Sequence, residues 1–186
     1  VHTIKTSNKM KTKFALIFIM VGILSGSVAQ KVPATTGSQV PQVNAQQALD
    51  HHNKARKDVG TAPLEWSVEL AQYAQAWADD LVKNNCAFKH RPHSGEFMQI
   101  HGENIFWGSA SSYTALSASE SWYSEIKDYK HGPLTNDNWS VAGHYTQMVW
   151  KNTTHVGIGQ AVCKNGAILI VANYDPAGNY MGESAY

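Results

Sequence analysis

Two apolar runs near the C-terminus, residues 155–162 and 167–173, are joined by Lys164-Asn165-Gly166. Asn-Gly readily takes positive φ, so this linker reads as a hairpin turn between two strands. A tight hairpin permits only antiparallel pairing, which fixes the character of the sheet at that point. Most of the chain before it has helical periodicity instead. Asn44 is positioned to cap a helix over 44–59 that Gly60 ends. A second helix is predicted over 67–84, with Leu70, Ala74, Trp77 and Leu81 on one face. A third spans 114–129, carrying Leu116, Trp122, Tyr123 and Ile126, and a short fourth spans 144–150. A further strand is expected over 99–106. Helices and hairpin-linked strands segregated along one chain give an α+β class with an antiparallel sheet.

The chain has 186 residues, 43% of them hydrophobic and 16% charged. That suits one globular domain with a core able to fold without many staples, and it excludes disorder and a disulfide-dense miniature scaffold. A formal net charge of +1 gives no electrostatic basis for nucleic-acid binding.

That average hides a basic N-terminus. Lys11 and Lys13 precede an apolar run over 14–24, and Ser27-Val28-Ala29 forms a small-x-small site. This is the order of an export signal, and the run falls short of the roughly 20 apolar residues that a membrane span needs. Residues 1–9 then read as an upstream extension, 10–29 as a signal peptide, and 30–43, rich in Pro, Thr, Ser, Gly and Gln, as a flexible lead-in. Removing 1–29 takes away four Lys and no acidic residue, leaving eleven Lys and Arg against fourteen Asp and Glu. The expected product is secreted (periplasmic in a bacterial host), without a stable membrane span, and monomeric.

No His-Glu-x-x-His helix, Gly-x-Ser-x-Gly elbow, phosphate-binding Gly loop or Cys-x-x-Cys occurs. Four stretches stand out because polar residues lie among aromatic and apolar neighbours. They are 52–56 (His-Asn-Lys-Ala-Arg), 102–105 (Gly-Glu-Asn-Ile), 143–150 (Gly-His-Tyr-Thr-Gln-Met-Val-Trp) and 173–180 (Asn-Tyr-Asp-Pro-Ala-Gly-Asn-Tyr).

In this order the four stretches resemble the signatures of the CAP superfamily of cysteine-rich secretory, antigen 5 and pathogenesis-related 1 proteins, over about 45–186. The resemblance implies a CAP domain over 44–186, folded as a three-layer α-β-α sandwich with a small antiparallel sheet between helices. It also implies a central cleft lined by His90, Glu103, Glu125 and His144, in a family that is largely non-enzymatic. Plant-type members carry cysteines where this chain has Ala142, Ile158 and Ala172. Cys86 and Cys163 match family positions whose usual partners are replaced, so either they pair with each other or both are buried thiols.

The cleft chemistry is coherent in its own right. His90 and His144 as neutral imidazoles can ligate Zn²⁺ or another divalent cation, with positions left open. Glu103 and Glu125 can orient those imidazoles, or act as general bases and hence as candidate catalytic groups. Taken singly, Glu103 can equally bond loop amides, Glu125 can face solvent, and His144 can cap a helix. His52, Asn53, Arg56, Asn104, Tyr145, Gln147, Trp150, Asn173, Tyr174 and Asn179 read as structural, with Asn179 and Tyr180 expected to pin the C-terminus. His93 and His101 flank the cleft segment as rim candidates, and Trp107 as a residue facing the cleft.

The expected function is a non-enzymatic extracellular binding or defence module. Sterols, other lipids and a cell-surface component are its candidate partners. The alternative is a metal-dependent hydrolase with His90 and His144 as ligands and Glu103 or Glu125 as base.

Overall fold

The computed structural model describes residues 30–186. The extension and signal peptide expected over 1–29 lie outside the described residues. The elements are α1 (Gln42–Asp58), β1 (Glu65–Trp66), α2 (Val68–Lys83), β2 (Gly102–Gly108), α3 (Ala115–Tyr123), a 3-10 turn (Ser124–Lys127), α4 (Asn136–Met148), β3 (His155–Val162) and β4 (Ile168–Asp175). The sheet order is β1-β3-β4-β2, antiparallel except for the short parallel β1–β3 pair. The class is α+β, a helix–sheet–helix sandwich.

Alternation along the strands builds two cores, one on each face of the sheet. Ile158, Ile170, Ala172 and Tyr174 face α1, α3 and α4, where Leu49, Trp122, Tyr145 and Trp150 are buried. Ala161, Leu169 and Val171 face α2, where Ala74, Trp77 and Leu81 pack. Helix α2 lies directly on β3 because Gly157 and Gly159 have no side chain. A Cβ at Gly157 would sit 2.1 Å from the Ala71 nitrogen, and one at Gly159 2.3 Å from the Gln75 nitrogen. The hairpin turn has Gly166 at φ +85°, with Gly166 N–H donating to the Cys163 carbonyl.

Several sequence expectations need correction. Residues 30–43 are not a free lead-in: Val32 and Val40 are in the core, and the Ser38 hydroxyl donates to the Ile158 carbonyl at 2.6 Å. Helix α1 starts at Gln42 after Pro41, so Asn44 lies in its first turn and does not cap it. The third helix tightens into the 3-10 turn at Ser124. The fourth helix begins eight residues earlier than the apolar pattern indicates. Its first half carries the exposed Trp139 and Val141 and has no buried stripe, so it left no periodic signal. What starts it is a capping box between Thr135 and Asn138. Strand β1, two residues long, had no sequence signal.

Cys86 and Cys163 form a disulfide, with Cα atoms 5.8 Å apart, tying the end of α2 to the end of β3. No helix among the described residues is long and apolar enough to cross a membrane.

Candidate functional site

Backbone irregularity places the central groups. At Ala142 the dihedrals leave the helical region (φ −141°), so α4 restarts at Gly143 with unpaired N–H groups. Glu125, in the 3-10 turn, supplies what they lack. Its Oε2 accepts the N–H groups of His144 and Tyr145 at 2.9 and 3.1 Å, and its Oε1 accepts His144 Nδ1–H at 2.6 Å. Glu125 is therefore both the cap of the second half of α4 and the orienter of its imidazole. Trp122 stacks beside that ring, centroids 6.4 Å apart.

The second pair repeats the chemistry on different supports. Glu103, the second residue of β2, has a fully buried side chain. Its Oε1 accepts His90 Nδ1–H at 2.9 Å and Arg91 N–H at 3.0 Å, and the Arg91 guanidinium stands 3.5 Å from Oε2. Arg91 is buried too, over the Tyr73 ring at 3.6 Å. A buried carboxylate is tolerable only with such a partner.

His90, Glu103, Glu125 and His144 all line one cavity of about 470 Å³. In both pairs the carboxylate accepts a hydrogen bond from Nδ1–H, which leaves the Nε2 lone pair of each neutral ring available to a ligand. Both carboxylates also accept backbone N–H groups. Among the described residues, no three His, Cys, Asp or Glu side chains converge to hold a metal. What the cavity wall offers a cation is two imidazole Nε2 atoms, those of His90 and His144.

The structural residues converge on the same place from behind. Burial pulls the His52 imidazole down to a pKa of about 4, so it is neutral at pH 7. Its Nδ1–H donates to the Ala48 carbonyl, and its Nε2 accepts the Tyr174 hydroxyl at 2.9 Å. That hydroxyl accepts Asn104 Nδ2–H at 3.1 Å, and the same amide donates to the His144 carbonyl. A buried chain of hydrogen bonds therefore runs from α1 through β4 and β2 to the backbone of His144.

Arg56 donates to the carbonyls of Met148, Trp150 and Thr153, holding the end of α4. Asn53 clamps both backbone groups of Leu64. Gln147 accepts Gly178 N–H at 3.0 Å, and Asn173 donates to the Gly102 carbonyl at 3.1 Å. Tyr145 and Trp150 are core residues.

Other placements differ from expectation. Asn179 does not pin the C-terminus: it accepts Thr146 Oγ1–H and donates to the Gly143 carbonyl, bracing the restart of α4. Tyr180 is exposed. The C-terminus is held instead where Lys151 N–H donates to the Ala185 carbonyl. Trp107 lines a neighbouring groove and not the cavity. His93 and His101 both line the cavity, and His101 Nδ1–H donates to Asp175 at 3.0 Å, a third imidazole–carboxylate pair. Sequence reading had no signal for that long-range partner. It also passed over Trp139, 46% exposed at the cavity wall above Gly143.

Comparison with known proteins gives consistent matches. The cysteine-rich secretory protein (CAP) family matches residues 49–174. Pathogenesis-related protein 1C of Nicotiana tabacum is 42% identical over 145 residues, covering 78% of this chain and 82% of that protein. Pathogenesis-related protein 1 of Arabidopsis thaliana is 39% identical over 145 residues, 78% of this chain and 84% of that protein. Among solved structures, NaASP2 with Zn²⁺ aligns at a TM-score of 0.66 and 28% identity, over 76% of this chain and 83% of that one.

Proposed function

The chain belongs to the cysteine-rich secretory protein (CAP) family, and from that premise we propose that it is a secreted, non-enzymatic binding and defence module whose central cavity takes a divalent cation through His90 and His144. One observation carries the reading. Two imidazoles on the wall of one cavity are each locked through Nδ1 by a carboxylate, so that both Nε2 atoms are free. A cation there would act as a Lewis acid toward a ligand oxygen entering the cavity. The solved structure of the relative NaASP2 with Zn²⁺ supports the choice of zinc as the probe. Defence is supported by the names of the pathogenesis-related relatives, and secretion by the basic-apolar-small order of residues 10–29.

Binding is favoured over hydrolysis by how the carboxylates are used. Glu125 spends both oxygens on His144 and on two backbone amides, and Glu103 is fully buried against Arg91. Carboxylates engaged in holding imidazoles and backbone in this way support a positioning role over that of a general base. A sterol or other lipid is a second reading, supported by the exposed Phe88, Met98 and Ile100 in the loop after α2.

Zinc titration by calorimetry tests the reading. The protein should bind one equivalent, and His90→Ala and His144→Ala should each weaken binding at least about tenfold. Equal zinc affinity in both variants and the parent would refute the metal site. A sterol panel without binding above background would remove the lipid reading.

A further inference from the structure

The outer edge of β2 has its backbone unpaired. Thr154 and Cys163 N–H groups donate to the carbonyls of Asp175 and Ala167, so odd-numbered residues of β4 face β3 and even-numbered ones face β2. By register, Gly102, Asn104, Phe106 and Gly108 bond to β4. Glu103, Ile105 and Trp107 therefore turn their N–H and C=O groups away from the sheet. Among the described residues, the one hydrogen bond on that side is Trp122 Nε1–H to the Ile105 carbonyl, at 3.4 Å. Beyond the buried Glu103, the strand has no Pro, no Lys and no bulge to block pairing over Ile105–Gly108.

This edge is the floor of a groove. Phe88, 61% exposed, stands on the wall beside the disulfide, and Ser121 and Trp122 of α3 form the opposite wall. The groove has a volume of about 470 Å³ and continues past Trp107 along α3 to Ser117 and Glu120. It meets the central cavity at Glu125 and His144. The charged residues lining it are Glu120 and Glu125, with no Lys or Arg.

We propose that this groove binds an extended peptide that adds a short strand to β2 over Ile105–Gly108, with apolar side chains against Phe88 and Trp107 and a Lys or Arg toward Glu120. Unpaired backbone groups on the floor select a partner that offers alternating N–H and C=O groups, which a peptide strand has and a lipid lacks. The acidic lining disfavours a fatty-acid carboxylate or a phosphate headgroup. The two walls belong to opposite faces of the sheet, Cys86 with the core on the α2 side and Trp122 with the other, so a second copy would have to bring its own walls into the same space. The proposal is independent of metal binding.

The test uses a fluorescein-labelled peptide of alternating Val and Thr with a central Arg, followed by fluorescence anisotropy. Two further versions are N-methylated at alternate residues, one on each edge. The expected result is binding by the parent peptide and by one methylated version, with at least about tenfold weaker binding by the other. Trp107→Pro, which removes an outward N–H from an exposed edge position, should lose binding, and Phe88→Ser should weaken it. Each variant is checked for an unchanged circular dichroism spectrum. Glu120→Lys should weaken the Arg peptide and spare one with Thr at that place.

Absence of binding at millimolar peptide would overturn the proposal, as would equal binding by both methylated versions. So would displacement of the peptide by a neutral sterol alone. A concentration-dependent dimer abolished by Trp107→Pro would assign the edge to a second copy instead. Binding seen only after removal of residues 1–29 would assign it to that segment.

Discussion

The two His–carboxylate pairs have the same chemistry and opposite supports. His144 sits on helical backbone, with Glu125 as both its partner and its helix cap, Trp122 beside the ring and Asn104 on its carbonyl. His90 sits on a loop outside any helix or strand, and its side chain is more exposed, 54% against 35% for His144. What fixes the loop is a buried ion pair, Glu103 with Arg91, and the nearby disulfide. One pair is thus positioned by secondary structure, the other by charge burial and a covalent tie. Each should fail under a different perturbation.

The largest separation should come from removing the disulfide. Replacing Cys86 and Cys163 by Ser frees a loop spanning 77 residues of sequence, a loss of about 4 kcal/mol by chain entropy. Chemical denaturation should report that loss. Amide exchange in the double variant should rise more at Phe88–Arg91 than at His144–Met148. Equal acceleration in both segments would break the comparison.

Glu103→Ala should cost about 3 kcal/mol, because it strands the buried Arg91 charge. Acid should reach the other pair through its buried support. The His52 pKa is about 4 in the folded protein against 6.5 in the unfolded chain, so the unfolded chain takes up the proton first. Stability is therefore undiminished by this group above pH 6.5 and falls as pH drops from 6.5 toward 4, by up to about 3 kcal/mol. His52→Gln should flatten that part of the stability–pH curve, and an unchanged slope would remove His52 from the account. Glu125→Ala should have the smallest effect, about 1 kcal/mol, the scale of a lost helix cap at a partly exposed site. A loss equal to that of Glu103→Ala would mean that the two supports are not different in kind.

What the sequence revealed follows the range of the interactions involved. The Lys164-Asn165-Gly166 turn and the helix starts near 67 and 114 were readable from neighbours in the chain, and the structure shows Ser67 and Thr114 capping those two helices locally. The α+β class followed from those segments together. The start of α4 was not readable, because its first half has no buried face. The quartet His90, Glu103, Glu125 and His144 could be named from motifs. The use of Nδ1 in both pairs could not, since it depends on a kink at Ala142 and on contacts 13 and 19 residues apart. Asp175 as the partner of His101, 74 residues away, had no local trace at all. The free edge of β2 was likewise hidden until the strand order β1-β3-β4-β2 was known.

The central claim is that both imidazoles are held through Nδ1 and offer Nε2 to one cation. Long-range ¹H–¹⁵N spectra of the histidine rings, recorded during zinc titration, test it most directly. The account predicts the Nδ1–H tautomer for His90 and His144 in the zinc-free protein, and Nε2 resonances of both rings moving together to an endpoint at one equivalent. The Nε2–H tautomer in either ring, or a shift confined to one of them, would contradict it.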